Sequence, residues 1–403
     1  TRLAGASTEE ASQRSLIVLG STGSVGCNTL DVARRHADQY SVVGLSARSN
    51  VDRLLEQIRL FRPEFAAVEN VEAGANLEQV LTSEGLSGTK VLTGANAATT
   101  LLEELKADVV MAAIVGSAGL HSAFRAVELG LTVLIANKEP LVMAGHLFKQ
   151  AAKQSGAMLL PVDSEHNAVF QCVAGANAVD QSVSKIVLTA SGGPFFRAAK
   201  LPSWASLAGI TPEQAVAHPN WNMGAKISVD SATMMNKGLE LIEACNLFDL
   251  PVDKVEILLH PQSVVHAMVH FVDGSSIAQM GLPDMRVPIA HAMAWPHRFE
   301  SGVSNISLAE VGQLTFREPD YQCMPCLRLA RDVAKEQSPV LATKLNAANE
   351  VAVEAFLAGK LPFVKIPEVI AKVLDDGNGN RADDMETLIG IDYEARRQAS
   401  QLV

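Results

Sequence analysis

The chain has 403 residues, with 33 Lys and Arg against 44 Asp and Glu, and a formal net charge of -11. The length suggests two or three domains, and 48% hydrophobic with 19% charged residues is too apolar for a disordered chain. The acidic balance lacks a basic block, and no apolar run is long enough to span a bilayer. These features exclude nucleic-acid binding and membrane insertion as main activities.

Cysteine content and the first residues indicate the compartment. Five cysteines is a low and odd number, which disfavours a disulfide framework and favours a reducing compartment. Cys323 and Cys326 form a CxxC, but Pro325 favours the start of a helix with free thiols. Residues 1–15 lack the apolar core of a secretory signal and are predicted to be a disordered leader. We expect a cytoplasmic protein, with the plastid stroma as the alternative.

Residues 16–162 show the pattern of an α/β domain. Short β-branched runs alternate with amphipathic stretches, which is typical of βαβ units and a parallel sheet. We therefore predict an N-terminal Rossmann-like dinucleotide-binding domain. Its predicted strands are Leu16–Leu19, Ser41–Ser46, Phe65–Val68, Val109–Ile114 and Thr132–Ala136.

The rest of the chain changes character twice. Longer Gly- and Pro-bearing connections and a predicted hairpin turn at Asp273-Gly274 indicate a central α+β catalytic domain over 163–294. A Pro-, Gly- and Ser-containing linker is expected over 295–321 and a C-terminal helical bundle over 322–403. The predicted central strands are Lys185–Ala190, Val255–Leu259, Val264–Val272 and Ser276–Gln279, and the predicted C-terminal helices are Ala342–Ala358 and one opening at Pro367.

A glycine-rich turn, GSTGSVG at 20–26, directly follows the first strand and precedes a helical pattern. Backbone N–H groups and the helix dipole in such a turn favour a pyrophosphate, although the GxxGxxG spacing leaves a turn without a ligand open. The second strand is followed by Ala47-Arg48-Ser49-Asn50, without the carboxylate of an NAD site. Arg48 therefore favours NADP, with a solvated loop charge as the alternative.

Two carboxylates follow an apolar segment at Asp163-Ser164-Glu165. At the end of an extended strand, residues two apart project to the same side, so Asp163 and Glu165 can converge on one cation. Oxygen ligands favour Mg²⁺ or Mn²⁺ over zinc. A solvated acidic pair remains the alternative.

A second polar segment, 228–240, contains Asn236 and Glu240 four residues apart on a predicted helix. Its apolar surroundings make these groups costly to bury unless they are paired. Glu240 is predicted as a third metal ligand. Lys237, Asn236 and Ser231 are predicted anion ligands, while an ion pair of Lys237 with Glu240 or Glu243 remains an alternative.

Three further patches resemble ligand sites, although each alone is more commonly structural. Ser191-Gly192-Gly193 follows a strand as an anion nest would, the His218–Gly224 loop combines His, Trp and Met, and Asn137-Lys138-Glu139 ends a parallel strand. Four other histidines lie among apolar neighbours and are predicted to have packing roles: His260, His266, His270 and His291.

Together these segments resemble the 1-deoxy-D-xylulose 5-phosphate reductoisomerase family from about Leu16 to the C-terminal helices. The motifs that carry the likeness are GSTGSVG at 20–26, ANKE at 136–139, PVDSEHNAVFQ at 161–171, ASGGPF at 190–195, HPNWNMG at 218–224, ISVDSATMMNKGLE at 227–240, HPQSVVHAMV at 260–269, PDMR at 283–286 and LNAANE at 345–350.

The resemblance implies an NADPH-dependent homodimeric enzyme that uses one divalent cation, Mg²⁺ or Mn²⁺. Its substrate would be a sugar phosphate, 1-deoxy-D-xylulose 5-phosphate, and its product 2-C-methyl-D-erythritol 4-phosphate, in isoprenoid precursor biosynthesis. The reaction would be a retroaldol and aldol rearrangement followed by hydride transfer. A cation that chelates ketone and hydroxyl oxygens suits this chemistry because it stabilises developing negative charge.

The resemblance also implies residue roles. Asp163, Glu165 and Glu240 would hold the metal, and Lys138, Glu165 and Glu240 would be catalytic. Substrate would be bound by Lys138, Ser164, Glu165, Ser191, His218, Trp221, Ser231, Asn236, Lys237 and Glu240. The cofactor would be bound by Thr22, Gly23, Ser24, Val25, Arg48, Ser49, Asn50, Asn137, Glu139 and Gly224, with Met223 and Met285 as weaker candidates near the nicotinamide.

One position departs from the family pattern, which commonly has a small residue followed by Lys or Ser where this chain has Arg48-Ser49. Either residue is therefore a candidate for the 2′-phosphate contact. Two other functions compete with the implied one: an NADP-dependent oxidoreductase that acts on a phosphorylated substrate without rearranging its carbon skeleton, and a redox-sensing NADP-binding regulator. Neither would need the three carboxylates.

Overall fold

The structure is a computed structural model that describes residues 13–173, 182–198, 200–221, 223–375 and 382–403. Its first strand begins at Arg14, whose N–H donates to Gln39 O at 2.8 Å. The leader prediction was therefore wrong for Arg14 and Ser15, which belong to the sheet. The rest of the predicted leader, apart from Gln13, lies outside the described residues.

A seven-stranded parallel sheet forms the N-terminal part of the molecule. Its order is β4-β3-β2-β1-β5-β6-β7, so the direction of strand addition reverses between β1 and β5. The strands are β1 Arg14–Leu19, β2 Tyr40–Ala47, β3 Phe65–Val68, β4 Lys90–Thr93, β5 Val109–Ala112, β6 Thr132–Ile135 and β7 Met158–Pro161. The helices that connect or follow them are α1 Ser24–Arg35, α2 Val51–Phe61, α3 Val71–Ser83, α4 Ala97–Glu104, α5 Leu120–Glu128, α6 Glu139–Ser155 and α7 Ser164–Val173.

Apolar side chains cover both faces of this sheet. Leu16 and Val18 of β1 join one hydrophobic cluster, and Ile17 and Leu19 join the cluster on the opposite face. Alternate residues of a strand point to opposite faces, so a strand buried on both faces is apolar throughout. This confirms the Rossmann-like sheet and the five predicted strands to within two residues at each end.

A four-stranded sheet forms the central part, in the order β11-β10-β8-β9. The β8–β9 pair is parallel, whereas β10 pairs antiparallel with β8 and β11. The predicted hairpin is confirmed, with Gly274 at φ 87° in the turn. The elements here are β8 Val183–Ala190, α8 Pro212–Val216, α9 Ala225–Thr233, α10 Met235–Phe248, β9 Val255–Leu259, β10 Val265–Phe271 and β11 Ser276–Met280.

Helices dominate the remainder of the chain: α11 Arg286–Ala294, α12 Leu308–Val311, α13 Pro325–Glu336, α14 Pro339–Leu357, α15 Ile366–Asp375 and α16 Met385–Ser400. Pro325 begins α13 as predicted, and the thiols of Cys323 and Cys326 are free. The C-terminal helices share a hydrophobic cluster with the central sheet and α10. Helix α11 instead packs on the N-terminal core through Ile289 and Met293. The predicted domain boundaries remain predictions.

Irregular structure fills most of the predicted linker, although the segment is not detached. Phe299 stacks on His36, with ring centroids 3.8 Å apart, and Arg317 forms a bridge to Leu259. Among the described residues, no helix has both the length and the apolar character needed to cross a membrane.

The glycine turn after β1 yields a testable prediction. A Cβ on Gly26 would lie 2.4 Å from Gly20 O and 2.5 Å from Ser21 Cα, both backbone atoms that cannot move aside. Gly26→Ala should lower the free energy of unfolding by about 1–3 kcal/mol, measured by urea denaturation. Gly23→Ala is the matched control, because its Cβ would meet Gly20 O at 3.4 Å. An effect of Gly26→Ala no larger than that of the control would contradict this packing.

Candidate active site

Most predicted site residues lie at the carboxyl edge of the seven-stranded sheet or on the central elements that face it. The turn 20–26 follows β1, residues 48–50 follow β2, residues 137–139 follow β6, and residues 163–165 follow β7. Open parallel sheets bind their ligands at this edge, where the strand order reverses. The central part contributes Ser191 after β8, the loop before α9, and helices α9 and α10.

The turn after β1 is shaped to receive an anion. Gly23 is the N-cap of α1 and has no side-chain capping hydrogen bond, so backbone N–H groups of the first turn remain available. Gly20 has φ 79°, and a Cβ there would lie 2.6 Å from Ala113 O. The structure therefore brings Thr22, Gly23, Ser24 and Val25 together at one helix N-terminus.

Arg48, Ser49 and Asn50 follow β2 as expected, although their roles differ. Asn50 caps α2 by accepting the N–H of Arg53 at 3.2 Å. The side chain of Arg48 is 85% exposed, and its Nε lies 3.9 Å from Glu69 Oε1. Residues 47–50 contain no carboxylate, but the loop after the neighbouring strand β3 brings the carboxylate of Glu69 close to Arg48.

Three carboxylates converge between β7 and α10. Asp163 and Glu240 are buried, and Glu165 is half-buried. Oxygen atoms of Asp163, Glu165 and Glu240 lie within 4.8 Å of one another. The reason given for the convergence was wrong, because these residues do not continue a strand. β7 ends at Pro161, helix α7 begins at Ser164, and the Glu165 N–H donates to Asp163 Oδ1 at 3.3 Å, as in an N-cap.

Two lysines and an asparagine bind these carboxylates. Lys138 Nζ lies 2.8 Å from Asp163 Oδ2 and 3.1 Å from Glu240 Oε1, and it donates to Asn236 Oδ1 at 2.8 Å. Lys237 Nζ donates to Glu165 Oε1 at 2.8 Å and also contacts Glu240. The expected helix-face contact also forms, since Asn236 Nδ2 donates to Glu240 Oε1 at 2.6 Å.

Opposite charges in this cluster hold both lysines protonated. Burial opposes the charge of Lys138, but Asp163 and Glu240 raise its pKa well above the usual value. Burial likewise opposes the charge of Lys237, and Glu165 with Glu240 raises its pKa. Burial raises the pKa of Glu240, and the neighbouring Asp163 and Glu165 add to the effect. These carboxylates therefore attract any additional cation that can reach them.

Two residues behind the cluster were not predicted to have roles. His166 Nε2 donates to Glu240 O at 3.0 Å, and its Nδ1 lies 3.2 Å from Asp163 Oδ1 and 3.5 Å from Glu243 Oε2. Burial opposes protonation of His166, but Glu243 and Asp163 raise its pKa to about 9. His166 was visible as the fourth residue of the DSEH segment; Glu243 was considered only as an alternative partner of Lys237.

The expected anion nest is paired with the predicted loop histidine. Ser191 Oγ lies 3.0 Å from His218 Nε2 and accepts the Gly193 N–H at 3.1 Å. Because His218 Nδ1 accepts the N–H groups of Asn220 and Trp221 at 3.2 and 3.0 Å, Nε2 carries the proton. The turn also lies against Ser231, since a Cβ on Gly193 would come within 2.6 Å of Ser231 O.

His266 is a buried neighbour of the Trp221 ring. Its ring centroid is 6.2 Å from that of Trp221, and burial, together with the charge of Lys237, lowers its pKa to about 4. The buried positions of His260 and His291 agree with the packing prediction. His270 is only partly buried and contacts Ser276 Oγ at 2.5 Å, so that prediction was wrong for His270.

Glu139 is buried and ion-paired, a result that the sequence did not indicate. Lys226 Nζ of α9 lies 2.6 Å from Glu139 Oε1 and 2.9 Å from Asp230 Oδ2. Burial opposes the charge of Glu139, but Lys226 lowers its pKa. Gly224 is the N-cap of α9, so this ion pair holds the end of the His218–Gly224 loop against the edge of the sheet.

The arrangement fits a divalent cation. Asp163, Glu165 and Glu240 offer hard oxygen donors from two elements, and two ammonium groups lie among them where positive charge is needed. Asp163, His166 and Glu243 form a second group with compatible spacing that shares Asp163. The two groups differ in accessibility, because Glu165 of the first is partly accessible, whereas His166 and Glu243 of the second are buried.

The His218 contacts predict a fixed protonation state. Burial, with a further contribution from Arg197, lowers the pKa of His218 to about 4 from 6.5, so the ring should stay neutral with its proton on Nε2 at pH 6. Long-range ¹H–¹⁵N NMR of histidine-labelled protein should detect this tautomer. The signals of His218 are assigned by their disappearance in His218→Gln. A pH titration in which His218 is half-protonated near pH 6.5 would contradict this prediction.

Three family models match successive parts of the chain. The 1-deoxy-D-xylulose 5-phosphate reductoisomerase model matches residues 16–145, and the model of its C-terminal domain matches residues 159–248. A further model, DXP reductoisomerase C-terminal domain, matches residues 280–398. The matches together cover most of the chain.

Curated relatives and solved structures agree with these matches. A 1-deoxy-D-xylulose 5-phosphate reductoisomerase of Methylococcus capsulatus is 53% identical over 397 residues, which cover 97% of this chain and 98% of the relative. One of Cupriavidus metallidurans is 52% identical over 385 residues, covering 95% and 97%.

Two solved structures are similar throughout. DOX-P reductoisomerase in complex with NADPH, fosmidomycin and magnesium has a TM-score of 0.89 and 42% identity, covering 96% of this chain and 98% of that one. The Zymomonas mobilis reductoisomerase in complex with NADPH has a TM-score of 0.87 and 43% identity, covering 97% and 99%. With family models, relatives and structures agreeing over nearly its whole length, the chain belongs to the 1-deoxy-D-xylulose 5-phosphate reductoisomerase family.

Proposed function

We propose that the protein converts 1-deoxy-D-xylulose 5-phosphate to 2-C-methyl-D-erythritol 4-phosphate with NADPH and a divalent cation, in isoprenoid precursor biosynthesis. The observation that carries this proposal is the buried convergence of Asp163, Glu165 and Glu240 beside two protonated lysines, on the same edge as a dinucleotide-type turn. The relatives that share this function by name cover the chain almost completely.

Asp163, Glu165 and Glu240 would hold the cation, Mg²⁺ or Mn²⁺. When bound, it supplies Lewis-acid stabilisation of the negative charge that develops on the substrate oxygens as the carbon–carbon bond breaks. Glu165 and Glu240 also accept hydrogen bonds from substrate hydroxyls, and Lys138 donates to a substrate oxygen. Because its pKa lies far above neutrality, Lys138 acts as a fixed cationic donor and not as a base.

Ser191 and His218 form the phosphate end of the site with Ser231, Asn236 and Lys237. The neutral imidazole of His218 carries its proton on Nε2, and the nest at 191–193 adds the Ser191 hydroxyl. Trp221 closes over the substrate and Ser164 contacts the sugar. The partly buried Trp221 ring, next to His266, would help to exclude water from the reacting atoms.

NADPH is proposed to bind across the β1–β5 crevice. Its pyrophosphate lies on the turn 22–25, and Asn137, Glu139 and Gly224 lie toward the nicotinamide. Arg48 or Ser49 binds the 2′-phosphate beside Asn50. Exposure of the Arg48 side chain supports this role, since its weak 3.9 Å contact with Glu69 can be exchanged for phosphate. The bacterial relatives support a cytoplasmic location.

The activity is tested by following NADPH oxidation with deoxyxylulose phosphate and identifying the product by NMR. We expect turnover with Mg²⁺ or Mn²⁺ that is lost in EDTA and restored by excess cation. Turnover that persists without a divalent cation would indicate an oxidoreductase of another kind, and NADPH binding without any turnover would indicate a regulator.

Glu240→Gln tests the ligand assignment. Loss of partners behind metal ligands typically costs 10–100-fold in affinity or activity, so loss of a direct ligand should lower kcat/KM by more than roughly 100-fold. The Kd for NADPH, measured by fluorescence, should stay nearly unchanged. Glu368→Gln, at an exposed ion pair on α15, is the control. Parallel loss of cofactor binding in Glu240→Gln would contradict the assigned role.

We further propose that the protein is a homodimer that pairs through β11. This strand is at the edge of the central sheet and is largely exposed, with Ile277 48% and Met280 39% accessible. Exposed sheet edges with apolar side chains are ready templates for pairing with another chain. A second copy of β11 would cover both the unpaired backbone and these side chains.

Ile277→Lys should convert the protein to a monomer at micromolar concentration, because a buried lysine without a partner is costly at an interface. Sedimentation velocity measures the change. Leu60→Lys is the control, since Leu60 is 61% exposed on α2. A dimer that persists in Ile277→Lys and dissociates in the control would overturn this assignment.

A further inference from the structure

Two adjacent side chains on α14 contact two separate parts of the active site. Asn349 Nδ2 donates to Asp230 Oδ1 of α9 at 2.8 Å. Glu350 Oε1 accepts the backbone N–H of Ser117 at 3.1 Å, across 233 residues of sequence. Asn349 is fully buried and the Glu350 side chain is 16% exposed. Neither residue belongs to the substrate, cofactor or metal set described above.

Residues 113–117 follow β5 and form one wall of the β1–β5 crevice, with Ser117 the first residue of the short 3₁₀ helix Ser117–Gly119. The opposite wall is the glycine turn, and the two walls touch where Gly20 packs against Ala113. Ligands of doubly wound sheets bind in this crevice because the loops on its two sides leave it in opposite directions. The position of the loop therefore sets the width of the cofactor crevice.

Side chains from two sides restrain this loop. Asn137, which follows β6, donates from Nδ2 to Ile114 O at 2.5 Å and to Gly116 O at 2.8 Å. On the other side, Gly116 is at φ 76°, and a Cβ there would meet Glu350 Oε1 at 2.9 Å. The loop backbone is thus in close contact with the Glu350 carboxylate.

Arg396 of α16 completes the contact. Its Nη2 donates to Ser117 Oγ at 2.9 Å and to Glu350 Oε2 at 2.5 Å, and its Nε donates to Asp392 Oδ2 at 2.7 Å. The guanidinium therefore links both C-terminal carboxylates to the loop. A planar donor that binds several acceptors at once fixes orientation as well as charge, which a lysine at this position cannot reproduce.

We propose that Glu350 and Arg396 are positioning residues for the cofactor: they hold the 113–117 loop at the distance from the glycine turn that NADPH requires. Asn349, one residue away, holds α9, which carries Ser231 and has Gly224 as its N-cap. Asn349 and Glu350 of α14 thus fix the 113–117 loop relative to helix α9. The inference rests on the proposed function, because it assumes that NADPH occupies the crevice.

The inference is tested by measuring the Kd for NADPH of Arg396→Gln and Glu350→Gln, by fluorescence titration in the absence of substrate. We expect the Kd for NADPH to rise roughly 5- to 30-fold, as for the loss of a charge-assisted hydrogen-bond network. Ser117→Ala, which removes a single acceptor, should show a smaller rise. Arg396→Lys should recover part of the affinity because it retains the charge. The control is Arg397→Gln, on the same helix in an exposed pair with Glu394.

Thermal unfolding and Mn²⁺ binding, followed by electron paramagnetic resonance, separate a local from a general effect. If Arg396→Gln does not fold, Ser117→Ala and Glu350→Gln still decide the question. Unchanged NADPH affinity in folded variants would overturn the inference, as would equal losses of NADPH and Mn²⁺ affinity. A wild-type protein that fails to bind NADPH would instead overturn the proposed function.

Discussion

The buried contact of carboxylates with Lys138 and Lys237 is the interaction on which the site depends. Removing a charge from water costs several kcal/mol, and removing one partner of a buried ion pair typically costs about 3–5 kcal/mol. An exposed pair such as Arg397–Glu394 contributes far less, because solvent screens its charges. The cluster therefore requires β6, β7 and α10 to stay in place together, since moving any one of them would leave buried charge unpaired.

The same charges explain how the site can be stable without substrate and still bind an anion. Two ammonium groups neutralise part of the carboxylate charge in the structure as it stands. A cation held by Asp163, Glu165 and Glu240 would take over that neutralisation. The two lysines would then have charge to offer a sugar phosphate, so cation and substrate binding would favour each other. His166, paired with Asp163 and Glu243, holds the rear of the cluster in either case.

Local patterns predicted those features that depend on neighbouring residues in sequence. Apolar runs identified the buried strands, and the four-residue spacing identified the Asn236–Glu240 contact. The edge strand Lys90–Thr93 was missed because its short, half-exposed sequence lacks a continuous apolar run. Helix α7 was missed although Asp163 is a favoured N-cap residue, because the apolar segment before it predicted an extended strand through Glu165.

Contacts between distant segments were outside the reach of such patterns. Lys226 meets Glu139 across 87 residues, and no local spacing indicates which lysine neutralises a buried glutamate. The carboxylate near Arg48 is likewise distant in sequence, since Glu69 lies in the loop after the neighbouring strand β3. Family resemblance predicted the site residues, but only the fold shows that Lys138 is hydrogen-bonded to Asn236 and that Glu139 is ion-paired with Lys226.

A net charge of -11 at first argues against anionic ligands, and the structure shows why that inference is limited to extended polyanions. A nucleic acid contacts a wide surface, so the acidic residues of this protein would repel its phosphate backbone. A small phosphate is affected mainly by the groups within a few ångströms of it, which in the site proposed above include the Nε2–H of neutral His218 and the Ser191 hydroxyl. The acidic residues of the site also bring positive charge close to it, because Asp163, Glu165 and Glu240 converge and bind two lysines. The field at the reacting atoms is therefore set within a few ångströms by this arrangement, independently of the charge carried by the rest of the chain.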